Sequence, residues 1–357
     1  MPLFLEMVRA ETAGSPDKQT RVLEGLRRYQ QAARENEPTS HRSIAAQQMD
    51  PKLWHIPPLR KRPKGWPVRP PVVLIPSIIN AHDILDLGGE HSLARFLAGR
   101  GHPTYLVDWG SPLAEGEQLS IGQLITDRLL PLLASLPVPP ILIGYCLGGT
   151  IAIAAATRHP VHALVTLAAP WHFSRYPDSF RQDAAGIWSQ GQEAISQWGV
   201  MPMEVMQQGF WSIDRAATIA KFERLSQFDI NTPAHALFVK VEDWANGGAP
   251  LSGPAAKELF EHLFARDDPG QGRWHVGGQI ITPRDIACPM LHIVSTQDRI
   301  VPHASAPDFG TRRDIALGHV GMIIGSRAKS ILWKPLARWL AKNEAPRHQV
   351  ISQMHKD

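Results

Sequence analysis

The sequence predicts an α/β fold, in which a mostly parallel central sheet carries helices on both faces and a helical cap is inserted between two strands. Short apolar runs rich in β-branched residues alternate with segments of helical length, as the strands and crossover helices of a parallel sheet do. The alternation stops after Pro170 and resumes at Pro289. The stretch between them shows helical segments and no plain series of strands, so it is expected to be an insertion.

Four apolar runs before the insertion are predicted to be buried strands. They are Val72–Ile75, Thr104–Val107, Ile141–Tyr145 and Ala163–Leu167. Helices are predicted between them. The first closes at Gly99, and the second begins at Ser120, whose spacing from Gln123 fits a capping box. The third is rich in alanine and runs from Thr150 to Thr157.

Two further strands follow the insertion, at Pro289–Val294 and Arg313–Ala316, before a helix that starts near Pro335. We therefore expect an N-terminal extension over residues 1–70, a core over 71–170 and 286–345, a cap, or lid, over 171–285 and a polar tail over 346–357. Within the extension, Val22–Ala33 fits a charged, solvated helix, and the basic run at 60–64 fits a solvated linker. Contact of that run with the phosphates of an anionic substrate is the alternative.

Four helices are predicted in the insertion, near Asp178–Gly191, Glu193–Gly209, Arg215–Gln227 and Gly253–Phe264. The insertion also holds a cluster of methionines at positions 201, 203 and 206, together with many tryptophan and phenylalanine residues. Ordinary core packing is one interpretation of these side chains. A flexible apolar lining for an acyl chain is the other, and the sequence leaves both open.

One junction between a predicted strand and a predicted helix has the sequence of a nucleophile elbow. Residues 144–148 match G-x-C-x-G, with Cys146 where serine is usual. Glycines two residues before and two residues after the nucleophile permit a turn that is too tight for Cβ atoms. The turn would hold the thiol at the N-terminus of a helix, where backbone N–H groups favour negative charge.

Two other interpretations of this segment are open at this point. Val138–Thr157 holds no charged residue, and about twenty such residues are enough to span a membrane. Pro139, Pro140 and the glycines argue against one uninterrupted helix. In the other interpretation, Cys146 is a small buried residue with a packing role only, as free cysteines often are.

Composition sets the broad class of protein. The chain has 357 residues, enough for one elaborate domain, and a net charge of +4 at pH 7. This mild positive charge, without a zinc-finger, RNP or basic-helix pattern, excludes the usual nucleic-acid-binding classes. Cys146 and Cys288 are its two cysteines, so no disulfide framework is expected and a reducing compartment is favoured. The N-terminal sequence lacks the basic-then-apolar layout of a signal peptide.

Three residues of catalytic type each follow a predicted strand directly. Cys146, Asp298 and His319 occur in the chain order nucleophile, acid, base, which is the order of the α/β-hydrolases. Loops at the carboxyl ends of parallel strands converge on ligands, so we expect these side chains to meet there. A thiol that transfers acyl groups needs such a base, a carboxylate that fixes the tautomer of the base, and N–H donors for an oxyanion.

With these motifs, the chain resembles the polyhydroxyalkanoate synthases, and by its length the short class that works with a separate partner subunit. The resemblance is carried by residues 144–150, 74–80, 84–87, 105–109 and 242–244 and by the segments around Asp298 and His319. It covers about residues 70–340, and the elbow with its glycine pair is the most specific part. It implies an α/β-hydrolase fold with a cysteine nucleophile.

The resemblance also implies catalytic roles. Cys146 would take the acyl group from an (R)-3-hydroxyacyl-CoA, and His319 would activate first the thiol and then the incoming hydroxyl. Asp298 would orient His319 or help to deprotonate that hydroxyl. The catalytic set is thus the same three residues that the strand-end positions single out.

Further contacts implied by the resemblance involve the backbone and the substrate. An oxyanion hole would use the backbone N–H of Leu147 with one from Ser77 or Ile78. The side chains expected to contact the substrate are Trp244, Asn80 and Tyr145. No metal site is expected, because Pro160 interrupts the short spacing between the histidines at 159 and 162.

The predicted function is acyl transfer that polymerises (R)-3-hydroxyacyl-CoA with release of CoA. A thioesterase or polyester depolymerase with the same triad is the second hypothesis, and a non-catalytic, granule-associated scaffold subunit is the third. No separate cofactor is expected, because CoA is part of the substrate. The expected partners are the acyl-CoA, the growing polyester chain and either a second copy of the chain or a separate subunit. The expected location is the cytoplasm, at the surface of polyester granules, with no nucleic acid partner and no transmembrane span.

Overall fold

The computed structural model describes residues 2–34, 43–47, 51–58, 69–112, 116 and 118–343. An eight-stranded sheet lies at its centre. The strands are β1 (Ser43–Gln47), β2 (Lys52–Ile56), β3 (Val72–Ile75), β4 (Thr104–Asp108), β5 (Ile141–Tyr145), β6 (Ala163–Leu167), β7 (Met290–Ser295) and β8 (Thr311–Ile315). Every residue of β3, β5 and β6 is buried, as expected for strands that are covered on both faces.

The strand order in the sheet is β1-β2-β4-β3-β5-β6-β7-β8. β2 runs antiparallel to both of its neighbours, and the other neighbouring strands are parallel. The chain direction across the sheet reverses between β3 and β5, so the loops that leave these two strands diverge and open a crevice at their carboxyl ends. A mostly parallel sheet with a nucleophile elbow after β5 is the α/β-hydrolase fold, and the predicted fold class is confirmed.

The helices surround and extend this sheet. They are α1 (Pro2–Glu11), α2 (Pro16–Gln31), α3 (Leu93–Ala98), α4 (Ile121–Gln123, continued by π-helical Leu124–Leu129 and α-helical Leu130–Ala134), α5 (Leu147–Arg158), α6 (Asp178–Trp198), α7 (Met203–Ile213), α8 (Arg215–Leu225), α9 (Pro233–Asn246), α10 (Gly253–Lys257, continued by π-helical Glu258–Ala265), α11 (Gly321–Ile324) and α12 (π-helical Lys329–Trp333, continued by α-helical Lys334–Lys342). Single 3₁₀ turns occur at His82–Asp86, Gly89–His91, Phe173–Arg175, Pro283–Asp285 and His303–Ser305.

Alternate strand residues divide the core into two layers. Val73 and Ile75 of β3 pack with side chains of α4 and α5, while Val72 and Leu74 pack on the opposite face with α3 and α12. Helices therefore cover both faces of the sheet, as the sequence predicts. The capping box predicted at the start of α4 is also present, because the Ser120 side chain accepts a hydrogen bond from the backbone of Gln123.

The segment between β6 and β7 is mainly helical, with two pairs of two-residue strands. These pairs are Val200–Met201 with Leu251–Ser252 and His275–Val276 with Gln279–Ile280. The boundary between the two helices predicted near 178–191 and 193–209 lies later in the structure. α6 continues to Trp198, and Gly199 ends it in the left-handed conformation (φ 72°). The glycine at 191, where a break was expected, is packed against Met201 inside α6.

One helix of the insertion, α9, was not predicted. Leu237, Val241 and Trp244 on this helix pack towards the sheet core, whereas Phe238 packs into a separate apolar cluster beside α8. A helix that is buried on two sides has no single apolar stripe, so its sequence lacks the periodicity by which amphipathic helices are recognised.

The sheet begins earlier than the sequence predicts. β1 and β2 come from residues assigned to the N-terminal extension, and β2 pairs with β4 at one edge of the sheet. Leu53 and Ile56 of β2 are fully buried in the core. The expectation that the core starts at residue 71 is therefore wrong. Each of these strands has five residues, and neither shows a clear alternation of apolar and polar residues.

The N-terminal helices pack on helices of the insertion. Side chains from α1, α2 and α8 form a third apolar cluster, comprising Phe4, Val8, Val22, Leu26, Ile219, Phe222 and Leu225. α2 and α8 cross closely at Gly25, where a Cβ atom would lie 1.8 Å from the carbonyl oxygen of Phe222. The predicted helix is present from Pro16, but it is not solvated on all sides, because Val22 and Leu26 are buried.

Several sequence predictions concern the ends of the chain. The last helix, expected to start near Pro335, has a π-helical turn before it from Lys329. The basic run at 60–64 and the polar tail at 346–357 lie outside the described residues. Where the structure describes the chain, none of its helices has both the length and the apolar character needed to cross a membrane. The predicted start of the core is corrected by β1 and β2. The rest of the division into extension, core, cap and tail stays a prediction.

Candidate active site

Cys146 occupies the tight turn between β5 and α5. Its backbone has φ 56° and ψ −132°, which is a conformation that non-glycine residues adopt rarely and mostly at functional sites. The Cys146 N–H donates to the carbonyl of Leu167 at 2.9 Å, and the Cys146 carbonyl accepts from Gly149 N–H at 2.8 Å. These bonds hold the turn against β6, so the position of the thiol is set by the backbone.

The glycines beside Cys146 are present because backbone atoms approach each other closely. A Cβ atom on Gly148 would lie 2.1 Å from the carbonyl oxygen of Ile75, at the end of β3. A Cβ atom on Gly144 would lie 2.4 Å from the carbonyl oxygen of Gly148. No side chain fits at either position without moving the backbone, as the G-x-C-x-G pattern predicts.

His319 and Asp298 form a hydrogen-bonded pair beside this turn. Nδ1 of His319 lies 2.5 Å from Oδ2 of Asp298, although the residues follow different strands, β8 and β7. The other carboxylate oxygen, Oδ1, accepts backbone N–H bonds from Ile300 at 2.7 Å and Val301 at 2.9 Å. The Asp298 side chain is fully buried, so these contacts fix both its position and the orientation of the imidazole.

The electrostatic environment favours the charged form of His319. Burial by itself would lower the pKa of His319, but its interactions with Asp298 and with Cys146 raise that pKa to about 10. The imidazole therefore keeps a proton at neutral pH. This arrangement allows His319 to deliver a proton to a leaving group after the sulfur has attacked.

Tyr145, predicted to bind substrate, packs directly against His319. Its ring centroid lies 4.9 Å from that of His319, and its hydroxyl donates to the His319 carbonyl at 3.2 Å. Burial, followed by the charges of Cys146 and Asp298, raises the pKa of Tyr145. These contacts fix the position of Tyr145 against His319, and its predicted role in substrate binding stays a prediction.

The residues predicted to form the oxyanion hole lie on two sides of the elbow. Leu147 is the first residue of α5, so its N–H has no carbonyl partner within the helix. Ser77 and Ile78 are buried in the loop after β3. The loop is held by a 3.0 Å bond from Trp109 Nε1 to the Pro76 carbonyl and by a 3.1 Å bond from Ile79 N–H to Ser77 Oγ. An N–H donor from each side would suit a developing oxyanion, and this role stays a prediction.

A pocket opens beside Cys146 towards the insertion. Its floor includes Leu147 and Ile79, and its walls come from α6, α7 and the π-helical part of α10. Apart from Cys146, the polar side chains among its lining residues are Tyr176 and Asp183. A pocket with so few polar lining groups suits a hydrocarbon group and disfavours water.

Trp244 and Asn80 do not line this cavity in the part of the chain that the structure describes. Trp244 Nε1 donates to the Ala81 carbonyl at 2.8 Å, and Asn80 Nδ2 donates to the Ala245 carbonyl at 3.3 Å. These bonds join the end of α9 to the loop after β3. Both residues thus have a structural role here, and substrate binding by either of them stays a prediction.

One contact between core and insertion was not anticipated. Arg299, next to Asp298, forms an ion pair with Asp214 at the start of α8.

Among the described residues, no group of three or more histidine, cysteine, aspartate or glutamate side chains is arranged to hold a metal ion. Cys146 and Cys288 are both free thiols.

The chain is similar to curated poly(3-hydroxyalkanoate) polymerase subunits. It is 26% identical to that of Haloferax mediterranei over 76% of this chain and 58% of the relative, and 22% identical to that of Haloarcula marismortui over 78% and 62%. The subunit of Allochromatium vinosum is 25% identical over 78% of this chain and 83% of its own length. The resemblance predicted from the motifs is confirmed. The chain spans about three fifths of the length of the first two relatives.

Solved structures similar to this one are α/β-hydrolases at low identity. A thermophilic esterase from Thermogutta terrifontis matches with a TM-score of 0.49 and 15% identity, over 85% of this chain and 99% of the esterase. A monoacylglycerol lipase from Paleococcus ferrophilus matches with a TM-score of 0.45 and 15% identity, over 77% and 97%. The fold assignment rests on the sheet topology and not on these scores. No protein-family model matches the chain.

Proposed function

We propose that this protein is an acyltransferase of the polyhydroxyalkanoate synthase type, which polymerises (R)-3-hydroxyacyl groups from CoA thioesters through an acyl thioester on Cys146. The observation that carries the proposal is the hydrogen-bonded pair of Asp298 and His319, together with the position of Cys146 in the wall of an apolar pocket. The similarity to poly(3-hydroxyalkanoate) polymerase subunits supports the same reaction class.

In the first step, the Cys146 sulfur attacks the thioester carbonyl and a tetrahedral oxyanion forms. The N–H of Leu147 and one from the loop at 77–78 stabilise this charge. As the intermediate collapses, the carbon–sulfur bond to CoA breaks, and the proton held by His319 passes to the departing thiolate. One thioester replaces another, so the step is nearly balanced in free energy.

In the second step, the 3-hydroxyl group of another monomer or chain attacks the Cys146 thioester. His319, now neutral, takes the hydroxyl proton, an ester bond forms, and the carbon–sulfur bond to Cys146 breaks. Asp298 orients the imidazole throughout. Its two oxygens are already engaged by His319 and by the backbone N–H groups of Ile300 and Val301, which favours orientation over direct deprotonation of the hydroxyl.

Water is the acceptor that would turn this reaction into hydrolysis. The cavity walls offer few polar groups that could hold water, and an apolar site is poorly hydrated. This property favours transfer over the alternative thioesterase or depolymerase activity on the same residues.

The proposal is tested by supplying the purified protein with an (R)-3-hydroxyacyl-CoA and measuring both CoA release and the fate of the acyl group. CoA release with formation of polyester is the expected result, and a Cys146→Ala variant should release none. Free hydroxy acid in place of polyester would identify a hydrolase. Full CoA release by the Cys146→Ala variant would overturn both enzymatic assignments.

A further inference from the structure

Asp267, which follows α10, combines two features that each cost stability. Its side chain is buried, with 2% of the residue exposed, and within the described part of the chain no lysine, arginine or histidine forms an ion pair with it. Its backbone has φ 52°, in the left-handed region that few non-glycine residues occupy. A buried carboxylate without a cation and a strained backbone persist together mainly where they have a function.

The Asp267 carboxylate binds the turn that follows β6. Oδ1 accepts the N–H of Phe173 at 2.7 Å, from 94 positions earlier in the chain, and Oδ2 accepts the hydroxyl of Ser174 at 2.5 Å. The Gly270 N–H donates to Oδ1 at 3.2 Å, and a Cβ atom on Gly270 would lie 2.5 Å from the same oxygen. The chain after α10 therefore wraps closely around the carboxylate and fixes its direction.

The two elements that Asp267 joins both line the pocket beside Cys146. Phe173 of the turn and Phe264 of α10 are among its lining residues, and the ring of Phe264 packs edge-on against that of Phe173 at a centroid distance of 5.0 Å. Asp267 itself does not line the pocket. Any effect of Asp267 on a ligand in this pocket therefore acts through the aromatic side chains of the wall.

The turn depends on this carboxylate for its backbone hydrogen bonds. Phe173 is 1% exposed, so without the Asp267 side chain its N–H would be buried without an acceptor. An unsatisfied buried donor costs more than the bond itself contributes. The turn would therefore rearrange, and the Phe173 ring would move with it.

Resting on the proposed function, we infer that Asp267 is a positioning residue for acyl-CoA binding. Its carboxylate holds Phe173 against Phe264, and this fixed pair of rings is the part of the pocket wall against which the acyl group packs. Asp267 contributes to the binding of the acyl group and not to the chemistry at the sulfur.

Three variants separate this role from a general loss of structure. Asp267→Ala removes both oxygen acceptors. Asp267→Asn keeps an oxygen for the Phe173 N–H, and asparagine tolerates a positive φ, so it should restore function. Asp268→Ala is the matched control, because Asp268 is the next residue and is 7% exposed, but its carboxylate contacts His262 at 3.1 Å and Arg273 at 3.5 Å.

The test measures kcat and KM for CoA release from (R)-3-hydroxybutyryl-CoA, together with the rate at which iodoacetamide alkylates Cys146. A wall that binds ground state and transition state alike affects KM and not kcat. Asp267→Ala should therefore raise KM roughly tenfold or more, with kcat and the alkylation rate within about twofold of the parent. Asp267→Asn and Asp268→Ala should keep KM within about threefold.

An unchanged KM in Asp267→Ala would overturn the inference. So would an equal loss of CoA release and alkylation, which indicates disruption of the whole site, or the same rise of KM in Asp268→Ala. Ser174→Ala covers the case that Asp267→Ala does not fold, since it removes one bond to the carboxylate. It should raise KM about threefold at an unchanged alkylation rate, and an unchanged KM would count against the inference.

Failure of the proposed function can be distinguished from failure of this inference. If the parent protein releases no CoA, the proposed function fails, and calorimetric binding of the same thioester to Cys146→Ala replaces the rates. Adding Asp267→Ala to that protein should weaken binding roughly tenfold. Equal affinities, or no binding by either protein, would overturn the inference.

Discussion

Nδ1 of His319 lies 2.5 Å from Oδ2 of Asp298, across 21 residues of chain. The carboxylate is fully buried, and its second oxygen accepts two backbone N–H bonds. A carboxylate held in this way keeps the Nδ1 proton of the imidazole in place and leaves Nε2 for the Cys146 sulfur. The geometry therefore makes the tautomer of His319 depend on Asp298, and this dependence can be measured.

Replacing Asp298 with asparagine should lower the rate of CoA release sharply. Asparagine has nearly the same shape, but its NH₂ group can reverse the tautomer of His319, and the same change in a Ser-His-Asp triad costs about 10⁴-fold in kcat. Asp314→Asn is the control, because Asp314 is exposed and pairs with Arg312 on the surface. Steady-state kinetics on both variants would test the role of Asp298, and an Asp298→Asn protein within tenfold of the parent would argue against it.

The closest backbone approach at the elbow gives a second prediction. A Cβ atom on Gly148 would meet the carbonyl oxygens of Ile75 at 2.1 Å and Pro76 at 2.5 Å. Gly148→Ala should therefore displace the elbow, destabilise the protein by about 3 kcal/mol and abolish CoA release. Gly321→Ala is the control, since a Cβ atom there meets nothing within 4 Å. Denaturant unfolding of both variants checks the difference, and equal stabilities would contradict it.

The contact between α2 and α8 can be tested in the same way. A Cβ atom on Gly25 would lie 1.8 Å from the Phe222 carbonyl oxygen, so Gly25→Ala should force the helices apart at a cost of about 3 kcal/mol. Gly14→Ala, with nothing within 4 Å of the added atom, should have little effect. Limited proteolysis should release the N-terminal helices from Gly25→Ala alone. Equal protection in both variants would show that the helices tolerate the change.

Stability should fall in mild acid because of a buried histidine in β7. Burial lowers the pKa of His292 from 6.5 to about 4, so between these values the unfolded chain binds a proton that the folded chain does not. Stability therefore rises with pH over this window, and the difference corresponds to about 3 kcal/mol. The His292→Leu variant should show a flatter dependence between pH 4 and 6.5 in urea unfolding. An unchanged slope would mean that His292 does not contribute.

The position of this candidate site could be predicted because the patterns that mark it are local. The glycine spacing around Cys146 follows from close backbone contacts, and Asp298 and His319 each follow a short apolar strand. In a parallel sheet such strand ends lie at the same edge. Three separate local patterns therefore predicted a set of residues that the fold brings together.

The cavity and its surroundings could not be predicted from the sequence. Whether Ala184 and Phe180 face a cavity or a packed core depends on the distance between α6 and α7, which no local pattern encodes. The same holds for the packing of Val22 against Phe222, about two hundred positions later in the chain. β2 is not indicated by the sequence for a related reason, since a five-residue strand without a clear alternation is recognised mainly by its pairing with β1 and β4.

The most direct measurement is the mass of the cysteine-containing peptides after brief mixing with an (R)-3-hydroxyacyl-CoA and an acid quench. Burial raises the pKa of Cys288 to about 11, so that thiol stays protonated and serves as an internal comparison. We expect an added acyl group on the Cys146 peptide and none on the Cys288 peptide. CoA release without any acyl group on Cys146, or with the group on another residue, would contradict it.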